Sequence, residues 1–152
     1  MIRQPGWSKS FQISVFSYQE SIKIYPVFLM ETATIIAASS KLVWEVLIDT
    51  HCWPRWGPSV IEVRCRDRFI QHGSKGHVRT TPGLWLPFEI IDFVPGKKWT
   101  WRVMNIPATG HRVEALAPEQ CRLVFEVPWL AAPYLLVCKI AARRIKLIAE
   151  RS

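Results

Sequence analysis

The chain has no CxxC pair, no apolar run long enough to cross a bilayer and no recognisable catalytic signature. Its four cysteines, Cys52, Cys65, Cys121 and Cys138, stand far apart with no His at ligand spacing. That pattern argues against zinc or any other metal and for a reducing compartment. The longest apolar candidate, Val127 to Ala142, is broken by Pro128, Pro133 and Lys139, short of the roughly 18 to 20 residues a span needs. The stretch up to Tyr25 mixes Gln, Ser, Glu and Lys into its apolar residues, unlike a secretory signal. A soluble, cytoplasmic protein is expected. There is no Gly-x-Ser-x-Gly elbow, no HExxH, no dinucleotide loop and no pair of carboxylates on one strand face, and no cofactor is expected. Gly73-Ser74-Lys75-Gly76 lacks the length, the following hydroxyl and the helix of a phosphate loop, and reads as a hairpin turn.

Acidic residues are few, 12 against 20 Lys and Arg, for a formal net charge of +8. The basic residues are scattered, as in Arg64, Arg66, Arg68, Lys97, Lys98, Arg143 and Arg144, without any nucleic-acid motif. They read as a solvated face; a phosphate-bearing partner or transient contact with an anionic membrane is the alternative, and no nucleic acid is expected.

What the sequence has is ring mass: eight Trp, seven Phe and three Tyr in 152 residues, 49% of them hydrophobic. A chain of this size buries a sizeable core without disulfides. Residues 30–152 are expected to form one domain, with 1–29 an N-terminal extension, disordered or an extra strand, and Met30 a second candidate start. Thr32 to Ala37 reads as a strand. Ser39 and Ser40 offer caps to a helix from Lys41 to Ile48, and Cys52 to Pro58 forces a compact turn or second short helix. From Ser59 onward turn signals recur about every ten residues, the spacing of an antiparallel meander. They fall at 72–76, 82–83, 95–97, 107–110 and 118–120. The last segment, about 133 to 150, is helical by period. Tyr134, Val137, Cys138, Ala141, Ile145 and Ile148 share one face, widened by Leu136, Ile140 and Leu147, leaving a thin charged back of Lys139, Arg143, Lys146 and Glu150.

Val43-Trp44-Glu45-Val46-Leu47-Ile48-Asp49 followed by Trp53-Pro54-Arg55-Trp56 resembles the START-like or SRPBCC superfamily, which includes polyketide cyclases and lipid-transfer domains. Gly76 opening a strand, Val94-Pro95-Gly96-Lys97-Lys98-Trp99-Thr100-Trp101 and the terminal Leu147 to Glu150 are similar to further motifs of that family, so the resemblance covers about 32–151. It implies an α+β helix-grip fold: a curved antiparallel sheet wrapped around a long C-terminal helix, two short helices after the first strand, and a cavity between sheet and helix. Fold alone does not assign function.

Strand alternation nominates the lining of that cavity. Trp99, Trp101 and Val103 share a face, as do His111, Val113 and Ala115, and Cys121, Leu123 and Phe125. This wall is expected to meet Tyr134, Cys138, Ala141 and Ile145, with Phe88 beside it. The small residues Ala115, Ala141 and Ala142 leave volume unfilled, although such aromatic stripes also build solid cores. His111 is the polar position on the apolar face, either a hydrogen-bonded core histidine or a catalytic base. Arg79, sharing a face with His77, is a cationic anchor if that face is concave and merely solvated if it is convex. Trp85, Trp53 and Trp56 are placed at the pocket rim, where exposed rings suit a ligand gate, a partner or a membrane edge alike.

The leading expectation is therefore a monomer or homodimer that binds a small hydrophobic molecule: a lipid, a fatty acyl chain or an aromatic polyketide. An aromatic polyketide cyclase or dehydratase, with His111 and Arg79 acting on a poly-carbonyl substrate, is the alternative, and a membrane-docking lipid or coenzyme accessory protein a third.

Overall fold

The computed structural model describes residues 29–152. The chain runs β1 (Leu29–Ile36), α1 (Ser40–Ile48), α2 (Trp53–Trp56), β2 (Val60–Cys65), β3 (Lys75–Thr80), β4 (Trp85–Val94), β5 (Lys98–Val103), β6 (Ile106–Ala117), β7 (Gln120–Pro128), a 3-10 turn at Trp129–Ala131, and α3 (Tyr134–Ala149). The seven strands form one antiparallel sheet in the order β1-β7-β6-β5-β4-β3-β2. Only the α1–α2 segment carries the chain from one edge to the other; every later strand pairs with its predecessor. The expectation for the N-terminal extension lies outside the described residues, except that Leu29 already belongs to β1.

Local chemistry sets the ends of the elements. Ser39 is the N-cap of α1, its side chain accepting from the Leu42 amide at 3.3 Å, where the first turn of a helix has free donors. Asp49 ends α1: its carboxylate accepts from the His51 amide at 3.0 Å and from Arg68 at 2.9 Å. Burial alone would raise the Asp49 carboxyl, but the Arg68 guanidinium and the His51 amide hold it below the usual range. The sheet bends through irregularities at Val60/Glu62, Ile90/Asp92, Thr100/Arg102 and Ala115/Ala117, since an extra residue on one strand increases local twist and curvature.

Two sequence expectations fail here. The turn expected at 107–110 is strand: Pro107 pairs with Arg102, and the reversal occurs at Met104 and Asn105, at φ of 53° and 61°. A two-residue hairpin needs positive φ at both central positions, which Asn tolerates and Met does not advertise. The buried face of α3 is also narrower than its period predicts. α3 buries Cys138, Ala141, Ala142, Ile145 and Ala149, while Leu136, Ile140 and Leu147 are exposed. Close approach of a helix to a concave sheet covers about half its circumference, however apolar the rest.

The concave face of the sheet supplies the core: Val78 from β3, Phe88 and Ile90 from β4, Trp99 from β5, Val113 from β6, and Cys121, Leu123, Phe125 and Val127 from β7. Alternate residues on the other face form ion-pair ladders. Arg112 pairs with Glu114 at 2.8 Å, with Glu31 of β1 and with Glu126 of β7. Glu89 takes Arg102 at 2.6 Å and Lys75 at 3.6 Å, and the Arg102 hydrogen bond holds the Glu89 carboxyl below its ordinary value.

Candidate functional site

The seam between the concave sheet and α3 is where a helix-grip fold holds a ligand, and here two indoles from α2 occupy it. The Trp53 ring hydrogen donates to the Leu47 carbonyl at 3.0 Å and that of Trp56 to the Val46 carbonyl at 3.3 Å. These carbonyls sit in the last turn of α1, where a helix runs out of internal donors. Each indole is thereby tied at one edge while its ring swings into the seam. Trp53 lies parallel to Trp99, centroids 5.5 Å apart at 4°, edge-on to Trp101 at 5.4 Å, and 5.4 Å from Phe88. Trp56 meets His111 at 6.3 Å and Phe125 at 6.2 Å.

The remaining hollow is about 30 Å³. That is room for about two water molecules, far below the roughly 300 Å³ at which pockets accept drug-sized ligands. The expected open cavity is therefore closed in this conformation. Ala115 is exposed, next to a bulge, and leaves no internal volume, and the space beside Ala141 is taken up by the α2 rings.

Around the hollow stand Trp99, Trp101, His111, Phe125, Tyr134, Cys138 and Ala141, joined by Trp53, Trp56, Val60, Thr109 and Val137. Phe88, Val113 and Ile145 are buried in the adjoining core but do not reach it. Arg79 and Trp85 are not in the seam at all. They are register partners on the convex face of β3 and β4, where the guanidiniums of Arg64 (4.2 Å) and Arg79 (5.8 Å) stand over the Trp85 ring. Arg79 also pairs with Glu62 at 3.4 Å. Alternation from the inward Val78 puts both neighbours outside, so neither the cationic anchor nor the Trp85 rim is realised.

His111 is 3% exposed, stacked on Trp99 with centroids 3.7 Å apart. Burial penalises its cation and lowers its pKa to about 3, with the Trp99 backbone acting weakly the other way. The ring is therefore neutral at pH 7. Thr109 Oγ1 accepts from Trp101 Nε1 at 3.0 Å, which leaves its own hydrogen for His111 Nε2 at 3.3 Å. That assignment puts the imidazole hydrogen on Nδ1. Trp99 Nε1 has no hydrogen-bond partner, and His111 Nδ1 has only the Trp99 backbone beside it, outside good hydrogen-bond geometry; both are fully buried. An unsatisfied indole N–H thus faces an apolar seam beside a poorly satisfied imidazole. At the mouth, the Tyr134 hydroxyl meets Ser59 Oγ at 2.6 Å, bridging α3 to the loop after α2. Burial pushes the Tyr134 phenol up, the Ser59 bond opposing, and burial takes the Cys138 thiol to about 11, so neither is ionised at neutral pH. Sequence reasoning missed Thr109 because Pro107 to Gly110 read as a turn; its alternation with His111 was the available signal. Among the described residues no three metal-ligand side chains come together.

The family model for polyketide cyclase / dehydrase and lipid transport proteins matches residues 28–149, and the chain belongs to that family. Solved structures agree on the fold. The Zhui aromatase/cyclase of Streptomyces sp. R1128 superposes with a TM-score of 0.65 at 18% identity, covering 82% of this chain and 94% of that one. A hypothetical protein of Helicobacter pylori gives 0.66 at 10% identity, covering 98% of both chains. The Aha1 dimer of Colwellia psychrerythraea gives 0.63 at 15%, covering 81% and 96%. No curated protein matches the chain.

Proposed function

We infer that this protein binds a small, mostly apolar molecule carrying a hydrogen-bond acceptor, in the seam between the concave sheet and α3. The reading rests on Trp99 Nε1, a buried donor with no partner in the seam, beside the neutral imidazole of His111. Buried polar groups are ordinarily paired, and leaving one unpaired costs about 1–3 kcal/mol. A seam selected only for packing would carry Phe at both positions. A carbonyl or ether oxygen, having lone pairs and no hydrogen, satisfies such a donor where a hydroxyl would bring a surplus one. Entry requires Trp53 and Trp56 to move; α2 is a single turn of four residues between Cys52 and Gly57, and each indole is held by one hydrogen bond and by the seam rings it packs against.

Ring-closing or dehydrating chemistry on a poly-carbonyl compound is the second reading, favoured by family membership and by His111 in the seam. With its lone pair engaged by Thr109, His111 is suited to donate to a developing enolate oxygen and unsuited to act as base.

Titration with 9-fluorenone and fluorene, one ring system with and without a carbonyl, tests the reading through quenching of Trp fluorescence. The ketone should bind at least about tenfold tighter, from one satisfied donor, and His111→Phe should reduce that preference. Equal affinities would remove the acceptor requirement. Failure of both to bind, with no small molecule travelling with the protein in native mass spectrometry, would remove the binding role.

A further inference from the structure

The outward face of α3 has the wrong composition for a surface that meets only water. At about 100° per residue, Leu136, Leu147 and Ile140 fall within about 40° of one another. Leu136 is 65% exposed, and the other two are exposed as well. The opposite side of the helix is already filled by Cys138, Ala141, Ala142 and Ile145, so these three contribute nothing to the core. Just before the helix, Trp129 and Leu130 extend the apolar ridge, Leu130 being 79% exposed. Lys139 and Arg143 border the stripe on one side and Arg144 on the other, all exposed. Among the described residues the ion pair on this helix is that of Lys146 with Glu150, and none of the three bordering cations has a carboxylate.

We propose that this ridge docks the protein on an anionic lipid surface. A line of Leu, Ile and Trp flanked by unpaired Lys and Arg is how a helix lies in a membrane interface, side chains in the acyl boundary and cations among the headgroups. The net charge of +8 acts in the same direction. A second copy fits the ridge poorly: two-fold packing would bring Arg143 and Arg144 against the same cations of its mate with no carboxylate between them. No described helix is long and apolar enough to span a bilayer, so contact is with one leaflet.

The test is co-sedimentation of the full chain with phosphatidylcholine vesicles, with and without phosphatidylglycerol, at low and high salt. Binding is expected only with the anionic lipid. Leu136→Ser with Leu147→Ser should lower it about tenfold or more at either salt, and Arg143→Ser with Arg144→Ser about fivefold per charge at low salt only. All four positions are exposed, and thermal melts confirm that the variants fold. The proposal is overturned if anionic vesicles do not bind, or if the variants bind as the wild type does. It is equally overturned if sedimentation velocity finds a dimer that the Leu variants dissociate, which would assign the ridge to a second copy. Each outcome is independent of whether the seam takes a ligand.

Discussion

Replacing His111 by Phe should abolish most of the acid sensitivity of this protein between pH 6.5 and 4.5. In the unfolded chain an imidazole titrates near 6.5, whereas in the folded protein burial depresses the value to about 3. Between those values the unfolded state holds a proton that the native state refuses, so stability rises with pH. The contribution is fully present above pH 6.5 and is lost as pH falls toward 3. Each unit of displacement is worth 1.36 kcal/mol, so bringing the solution from pH 7 to 4.5 costs about 2.7 kcal/mol. Against the 5–15 kcal/mol typical of whole domains, that is a large share. The carboxylates held low by partners, Asp49 and Glu89 among them, begin to lose their contributions only below about pH 4 to 5, so the window isolates the imidazole. Phe keeps an aromatic ring on Trp99 while removing the proton site; its larger ring lowers stability equally at every pH, so the slope and not the absolute value is the readout. Urea unfolding followed by Trp fluorescence at pH 7, 6, 5 and 4.5 measures the slope. The wild type should lose stability steadily below pH 6.5 and the variant should stay flat. Parallel curves would show that His111 is protonated in the native state, which would refute its burial as a neutral ring.

Gly76→Ala should destabilise by about 2 kcal/mol or more, because an added Cβ would stand 2.4 Å from the Arg64 carbonyl and 2.9 Å from Phe88 Cε1. A shift in urea midpoint with unchanged slope measures it, and a neutral result would show that β2 and β3 separate easily. Tyr134→Phe removes the hydroxyl contact to Ser59 and should cost about 1 kcal/mol. It should also raise amide exchange in residues 53–59 while leaving β6 and β7 protected, and uniform exchange across the chain would deny the latch.

The sequence was most informative wherever structure is local. Strand alternation on β5, β6 and β7 correctly turned Trp99, His111, Cys121 and Phe125 inward, because side chains two residues apart must share a face. The order of elements was legible for the same reason, and so was the Ser39 cap. Where the reading failed, the deciding interaction lay between segments distant in the chain. The side taken by Arg79 and Trp85 depended on which face of β3 bends toward α3, and nothing in Lys75 to Thr80 alone specifies that.

Period and turn signals thus determined the strands, the long terminal helix and the inward aromatic residues, and the resemblance to a family of known architecture implied that the sheet wraps the helix. Only the tertiary structure decided that the wall would be closed, because filling a hollow depends on where Trp53 and Trp56 travel once α1 offers its terminal carbonyls to their ring hydrogens. It also decided that Leu136, Ile140 and Leu147 would face outward. A helix pattern records which residues avoid water, while the geometry of contact with the sheet sets how many of them it can cover.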